Sequence, residues 1–291
     1  MNQVDAIMEG FDAQGYIADR ELATILFLMQ HLHKPLLLEG PPGVGKTEVA
    51  HMLATHLNTD LIRLQCYEGL DVSSAVYEWN YQRQLLSIKL QEGNDRSEAQ
   101  KEAHIFGEDF LLRRPLLQAI SASNKAPVLL IDEIDRADEE FEAYLLELLS
   151  AYQISIPEMG TVKAVHPPYV VLTSNRTREL GDALKRRCLY HWVSYPDAQR
   201  ELRIVQKHLP NIEVQLARQL VAVVAQLRQQ KLEKQPGISE TLDWAAGLMA
   251  LGCDALTQGH AEQSLGCVLK SANDIDRLKA EGIDKLLQQA G

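Results

Sequence analysis

The sequence is poor in cysteine, in positive charge and in long apolar runs, and each shortage removes a class of protein. Its 291 residues hold four cysteines, Cys66, Cys188, Cys253 and Cys267, with no CxxC spacing and no paired histidines beside them. That argues against a disulfide framework or a zinc site and reads as reduced, mostly buried thiols. The formal net charge is −11. Duplex nucleic acid requires a positive surface, so no nucleic acid is expected as the main partner. The longest apolar-rich stretch, Leu22 to Met29, is far too short to cross a bilayer, so no integral membrane segment is expected. Met1 to Gly10 carries Asp5 and Glu9 and no basic residue ahead of an apolar run. No signal peptide is visible there, and a cytoplasmic location is expected. Nor does any internal repeat or low-complexity run stand out. The remaining composition, 46% hydrophobic and 24% charged, is ordinary for a globular protein of one large or two moderate domains.

Against that background one stretch is unusual. Gly40, Pro41, Pro42, Gly43, Val44, Gly45, Lys46 and Thr47 complete the pattern GxxxxGK(S/T). Pro35 to Glu39 before it reads as a short buried strand, and Thr47 to Leu57 after it as a helix. Strand, loop and helix are the setting the pattern needs to wrap a polyphosphate. Small residues let the backbone close round the anion, and loop amides and the helix N-terminus point at it. Lys46 then reaches the β- and γ-phosphates, and Thr47 offers a hydroxyl to Mg²⁺.

Further strands follow. Asp60 to Cys66 alternates, Val128 to Ile131 is an apolar run closing on Asp132-Glu133, Tyr169 to Thr173 ends at Ser174-Asn175, and Leu189 to Val193 is the last. Asp138 to Tyr152 reads as a helix, and residues 153–165 as a β-hairpin. Residues 67–110 lack strand signals, break at Gly93-Asn94-Asp95, and read as helical insertions. From Pro196 onward Glu201 to Ala225, Ile238 to Leu251 and Gln263 to Gln289 read as helical. The expected fold is α/β, a three-layer P-loop core with a parallel sheet over residues 1–200, followed by an all-helical domain over 201–291.

Parallel sheets bind ligands at the carboxyl ends of their strands. Asp132 at such an end suits the shell of a hard cation, and Glu133 beside it suits a base that polarises water. Asn175 is placed to hydrogen-bond that water or the γ-phosphate. Lys185-Arg186-Arg187 favours a helix C-terminus electrostatically; its functional reading is an arginine finger for a neighbouring subunit, from either Arg186 or Arg187. The acids Asp135, Asp138, Glu139, Glu140 and Glu142 read as a solvated helix face. No NKxD guanine motif is completed, since Asn124-Lys125 is followed by Ala126-Pro127.

The ordered set of Walker A loop, Walker B acids, asparagine sensor and following arginine resembles the AAA+ ATPases. The insert at 67–110 and hairpin at 153–165 resemble the helix-2 insert and pre-sensor hairpin of one AAA+ branch, and within it the chain looks like the MoxR family. Leu61 to Gly69, Ala183 to Val193 and Gly237 to Trp244 are closest to its CoxD-like members. The resemblance implies ATP and Mg²⁺ held between core and helical lid, with Glu133 as base, Asn175 as first sensor, and Thr47 and Asp132 serving the metal. It places Tyr16 and Ile17 at the adenine pocket. It further implies assembly into a ring, often a hexamer, a von Willebrand factor A-domain partner, and a client metalloenzyme whose molybdenum/copper centre is matured. ATP hydrolysis at subunit interfaces is the leading expectation, with a nucleotide-gated assembly module as the alternative. Many members carry a lid arginine after Ser-Pro; the matching stretch here is Ser239-Glu240-Thr241.

Overall fold

The computed structural model describes residues 2–90, 100, 104–283 and 286–287. Along the chain run α1 (Gln3–Ala13), α2 (Arg20–Leu32), β1 (Leu36–Glu39), α3 (Lys46–Leu57), β2 (Leu61–Gln65), α4 (Val72–Ala75), β3 (Tyr77–Trp79) and α5 (Tyr81–Leu90). Then come β4 (Leu111–Arg113), α6 (Pro115–Ile120), β5 (Val128–Asp132), α7 (Glu139–Ala151), β6 (Gln153–Ile156), β7 (Gly160–Lys163), β8 (Tyr169–Ser174), α8 (Asp182–Lys185) and β9 (Leu189–Trp192). The last elements are α9 (Ala198–His208), α10 (Val214–Gln229), α11 (Ile238–Ala250), α12 (Gln258–Val268) and α13 (Ala272–Glu281). They form two compact units, Glu21–Glu39 with Ala50–His191, and Met1–Arg20 with Gly40–Val49 and Trp192–Gly291.

The first unit is built on a sheet in the order β2-β5-β8-β1-β9. β2 with β5, β5 with β8, and β8 with β1 pair in parallel. Val171 lies between Leu130 of β5 and Leu36 of β1. Successive residues Leu36, Leu37 and Leu38, and likewise Val128 to Ile131, are all fully buried. A strand buried on both faces needs an unbroken apolar run, which is what these segments supply. On one face Leu37, Leu129, Ile131 and Leu172 join a core with Leu117 and Ile120 of α6 and Leu145 and Leu148 of α7. The alternate residues Leu38, Leu130 and Val171 are equally sealed, so both faces are covered and the fold is the expected three-layer α/β arrangement. The three central strands β1, β5 and β8 end in the polar residues Glu39, Asp132 and Ser174, and parallel pairing brings those ends to one edge.

The insert departs from expectation. Tyr77–Trp79 is a strand, paired antiparallel with β4 so that Tyr77 faces Arg113 and Trp79 faces Leu111. Three residues are too few to display a two-residue period, and a partner so far along the chain leaves no hairpin turn to read. Arg113 and Arg114 pair with Glu108 and Glu78 within this ribbon. The break at Gly93-Asn94-Asp95 lies outside the described residues. β6 and β7 pair antiparallel, Ile154 opposite Val162.

The second unit has its core in α9 to α13, where Trp244 is fully buried among Leu216, Leu220, Leu248 and Leu265. The indole N–H of Trp244 donates to Ser264 Oγ at 2.7 Å, so the largest core residue carries no unpaired donor. Two helices read as continuous are divided. Glu201 to Ala225 breaks between His208 and Val214, around Pro210, which lacks the amide a helix interior needs. Gln263 to Gln289 breaks after Val268, and Ser271 caps the new start at Ala272. Among the described residues no helix is long and apolar enough to cross a membrane.

Candidate functional site

In the second unit the loop at 40–47 adopts the backbone its sequence requires. Gly43 and Gly45 have φ of 73° and 89°, a region that side-chain-bearing residues rarely enter. Gly40 is needed for a different reason: a Cβ there would lie 2.2 Å from Val193 O. Lys46 is buried, and its ammonium donates to Gly40 O at 2.8 Å and Pro41 O at 2.7 Å, which holds the charge inside the curve of the loop. Val44 is buried beneath the loop, while Thr47 is half-buried on the first turn of α3. The Tyr16 ring lies 3.6 Å from where a Gly45 Cβ would project and meets Phe11 edge to face. Burial pushes the Tyr16 phenol well above its ordinary value despite the Arg200 guanidinium nearby. Ile17 presents its carbonyl to Arg200 Nε and Nη2, at 3.1 and 2.7 Å. Tyr16 thus stands beside the loop, and Ile17 against Arg200 of α9.

The helical part of the same unit touches the loop directly. Ile238, the first residue of α11, donates its amide to Gly43 O at 2.8 Å. Gly237 before it approaches so closely that a Cβ would lie 2.7 Å from Gly43 Cα. A cavity of about 630 Å³ opens here, lined by Pro41, Pro42, Gly43, Tyr195, Lys234 and Glu240 among others. Thr241 is fully buried and donates to Glu201 Oε1 at 2.8 Å. Glu201 is in turn gripped by both terminal nitrogens of Arg228, at 2.6 and 2.8 Å. Position 241 thus carries no cation and belongs to a buried polar network of α9, α10 and α11.

In the first unit the strand-end acids take contrasting settings. Asp132, ending β5, has a side chain only 4% exposed. Its Oδ1 accepts the Thr173 hydroxyl at 2.6 Å and its Oδ2 accepts Arg63 Nη2 at 2.6 Å. Glu133 follows in the left-handed region, φ 55°, which turns its side chain out to 36% exposure. Its amide donates to Thr173 Oγ1 at 2.9 Å, and its carboxylate accepts from Gln65 Nε2 at 3.2 Å with Arg136 3.4 Å away. Asn175 stands half-buried just past β8, between β5 and β1 in the sheet order. Glu39, ending β1 immediately before the loop, is buried and accepts from Ser174 Oγ and Tyr190 Oη.

The acidic run is not a uniformly solvated face. Asp135 is buried and accepts the Thr177 amide and hydroxyl at 2.8 and 2.6 Å; Glu142 is buried against Arg178 and the Gly181 amide. Asp138 caps α7 through the Phe141 amide, and Glu139 and Glu140 are exposed. Packing of the 177–181 segment against the start of α7 is what covers the two inner acids. Cys66 and Cys253 are buried, Cys188 and Cys267 partly so, and all four thiols are free. Burial, with Asp132, Asp135 and Glu133 adding to it, pushes the Cys66 thiol up to about 12. Arg186 and Arg187 are both exposed, but Arg187 is engaged with Ser150 Oγ and Ala183 O.

Sequence reasoning passed over Arg63, Gln65 and Thr173. The signal was present for the first two, polar residues at alternate positions of a strand and hence on one side of it. The donor chemistry fits a nucleotide with a divalent cation. The loop has the positive-φ glycines and inward ammonium of a phosphate cradle, and Thr47 and Asp132 offer hard oxygen donors. Among the described residues no three His, Cys, Asp or Glu side chains are grouped to hold a metal ion.

A phosphate loop extending from one strand of a parallel sheet, with an Asp-Glu pair ending another, defines a P-loop NTPase core. More narrowly, the chain belongs to the AAA domain family, dynein-related subfamily, whose model matches residues 35–188. It is 28% identical over 256 residues to an uncharacterized protein of Staphylococcus aureus (strain bovine RF122 / ET3-1), a match covering 86% of each chain. It is 27% identical over 266 residues to an uncharacterized protein of Staphylococcus haemolyticus (strain JCSC1435), covering 89% of this chain and 90% of that one. Among solved structures it is similar to the Thermotoga maritima RuvB Holliday junction branch migration motor, at 18% identity and a TM-score of 0.48, over 85% of this chain and 67% of that one.

Proposed function

We propose that the protein is an ATP hydrolase of the MoxR branch, closest to its CoxD-like members, whose turnover remodels or matures a client metalloenzyme with a molybdenum/copper centre. The reading includes residues 1–200 as core and 201–291 as lid, a homo-oligomeric ring of six, a von Willebrand factor A-domain partner, and a cytoplasmic setting. The observation that carries the hydrolytic part is the contrast between neighbours. Asp132 is sealed and held by Thr173 and Arg63, whereas the left-handed backbone at Glu133 delivers its carboxylate to solvent. A fixed carboxylate suits a metal shell, and an accessible one suits a base.

In this reading Lys46 neutralises β- and γ-phosphate oxygens while loop amides hold them. Thr47 and Asp132 hold Mg²⁺, which when bound draws charge from those oxygens. Glu133 takes a proton from water as the water oxygen bonds to the γ-phosphorus and the bridging oxygen leaves with ADP. Asn175 orients that water, and Tyr16 and Ile17 line the adenine. Nucleotide binding and ATPase rate of wild type, Lys46→Ala and Glu133→Gln test this. Lys46→Ala is expected to lose nucleotide, and Glu133→Gln to keep it while turnover falls at least about a hundredfold. Undiminished hydrolysis by Glu133→Gln removes the assigned base. A wild type that binds ATP and assembles without turnover is instead a nucleotide-gated assembly module.

A further inference from the structure

We infer that Arg63 is the resident counter-ion of the strand-end acids and competes with the divalent cation for Asp132. The inference rests on the ATP·Mg²⁺ reading above and adds a residue that sets how readily the site is loaded. Asp132 offers two oxygens, and only one of them is negotiable. Oδ1 is bonded to the Thr173 hydroxyl at 2.6 Å, and that hydroxyl oxygen accepts the Glu133 amide at 2.9 Å, so its proton is committed to Asp132. Oδ2 therefore remains as the oxygen for a cation or its water shell, and Arg63 Nη2 lies 2.6 Å from it.

The surroundings explain why a positive group stands there. Gln65 of β2 pairs in register with Asp132, and its Nε2 reaches Glu133 at 3.2 Å, so two successive carboxylates meet this strand edge. Like charges so close repel unless a cation balances them. Arg63 supplies that balance at Asp132 from β2, a different strand, with a side chain that is half exposed, while Arg136 stands 3.4 Å from Glu133. It also has somewhere to go: the same Nη2 donates to Gln65 Oε1, two residues along β2. A guanidinium that releases Oδ2 can keep Gln65, and Gln65 Nε2 already reaches Glu133. Arg63 is a positioning residue by this account, acting on the acid that serves the metal and not on the reacting atoms.

Removing a unit charge roughly 6 Å from a dication tightens the dication by about tenfold where water screens the pair. The test uses Mn²⁺ as probe, titrated by water-proton relaxation into the full chain saturated with ADP. Arg63→Ala is expected to bind Mn²⁺ about tenfold more tightly than wild type. Arg63→Lys, which keeps the charge, is expected to stay within about threefold of it. Asp132→Asn should weaken binding in either background, and thermal unfolding of each variant confirms that it is folded. Unchanged or weaker Mn²⁺ binding by Arg63→Ala overturns the inference and leaves Arg63 as a brace for Asp132. If wild type with ADP takes up no Mn²⁺, or if Lys46→Ala binds ADP as wild type does, the ATP·Mg²⁺ reading fails and the inference falls with it.

Discussion

Asp132, Glu133 and Asp135 are separated by at most two residues, and the backbone around them gives each a different environment. Asp132 is fixed at the end of β5, Glu133 is turned outward, and Asp135 is folded back under Thr177. Burial alone would raise the Asp135 pKa. The Thr177 hydroxyl and amide, with the Asn175 amide, outweigh it and hold the carboxyl below the ordinary range. A carboxyl whose folded value lies below its unfolded value, about 3.9, stabilises the fold fully above that pH. The contribution is lost as pH falls through the folded value. Asp135→Asn is therefore expected to be less stable than wild type at neutral pH, and to lose stability less steeply below about pH 4. Urea unfolding from about pH 3 to pH 7 measures both curves; parallel acid limbs would show that Thr177 does not tune this carboxyl.

At the scale of elements, the start of α11 and the phosphate loop form a backbone-to-backbone contact that tolerates no side chain. Gly237 has φ −84°, which any residue can adopt, so its requirement is space and not conformation. An alanine methyl there meets Gly43 Cα at 2.7 Å and Gly43 O at 2.8 Å, neither of which is a flexible side-chain end. Gly237→Ala is expected to cost about 1–3 kcal/mol in stability and to weaken nucleotide binding through the loop. Gly259→Ala, at the first turn of α12 with no atom within 4 Å, is the matched control and is expected to gain about 0.5–1 kcal/mol. Thermal unfolding and nucleotide titration separate the two. The same contact marks where the sequence stops being informative. The loop and its flanking strand and helix are contiguous, so pattern alone reveals them, and the buried strands reveal themselves by unbroken apolar runs. Proline at 210 was also legible as a helix break, although apolar spacing on both sides disguised it. The pairings Gly237 to Gly43, Arg63 to Asp132 and Thr173 to Asp132 each join distant segments. Local spacing encodes which residues are polar on a strand, but not which neighbour that strand will have.

At the scale of the whole molecule the open question is whether one chain completes its own site. Two arginines follow α8, and their surroundings separate them. Arg187 donates through Nε to Ser150 and through Nη1 to Ala183 O, contacts that fasten it to α7 and its own helix. Arg186 is exposed, and no partner for its guanidinium is found among the described residues. A cation held ready for another chain has this character, which favours Arg186 as the finger in the proposed ring. Arg186→Ala is expected to retain ATP binding while turnover falls roughly a thousandfold. The decisive measurement mixes it with Glu133→Gln protein. Neither variant hydrolyses ATP alone, but at mixed interfaces an intact Glu133 meets an intact Arg186, and activity should return in proportion to those interfaces. Arg187→Ala mixed in the same way is expected to regain nothing, because its loss loosens the α7 to α8 packing inside each chain. Recovery with Arg187→Ala instead would transfer the role to that residue. Recovery with neither would mean that each subunit hydrolyses ATP with its own residues alone.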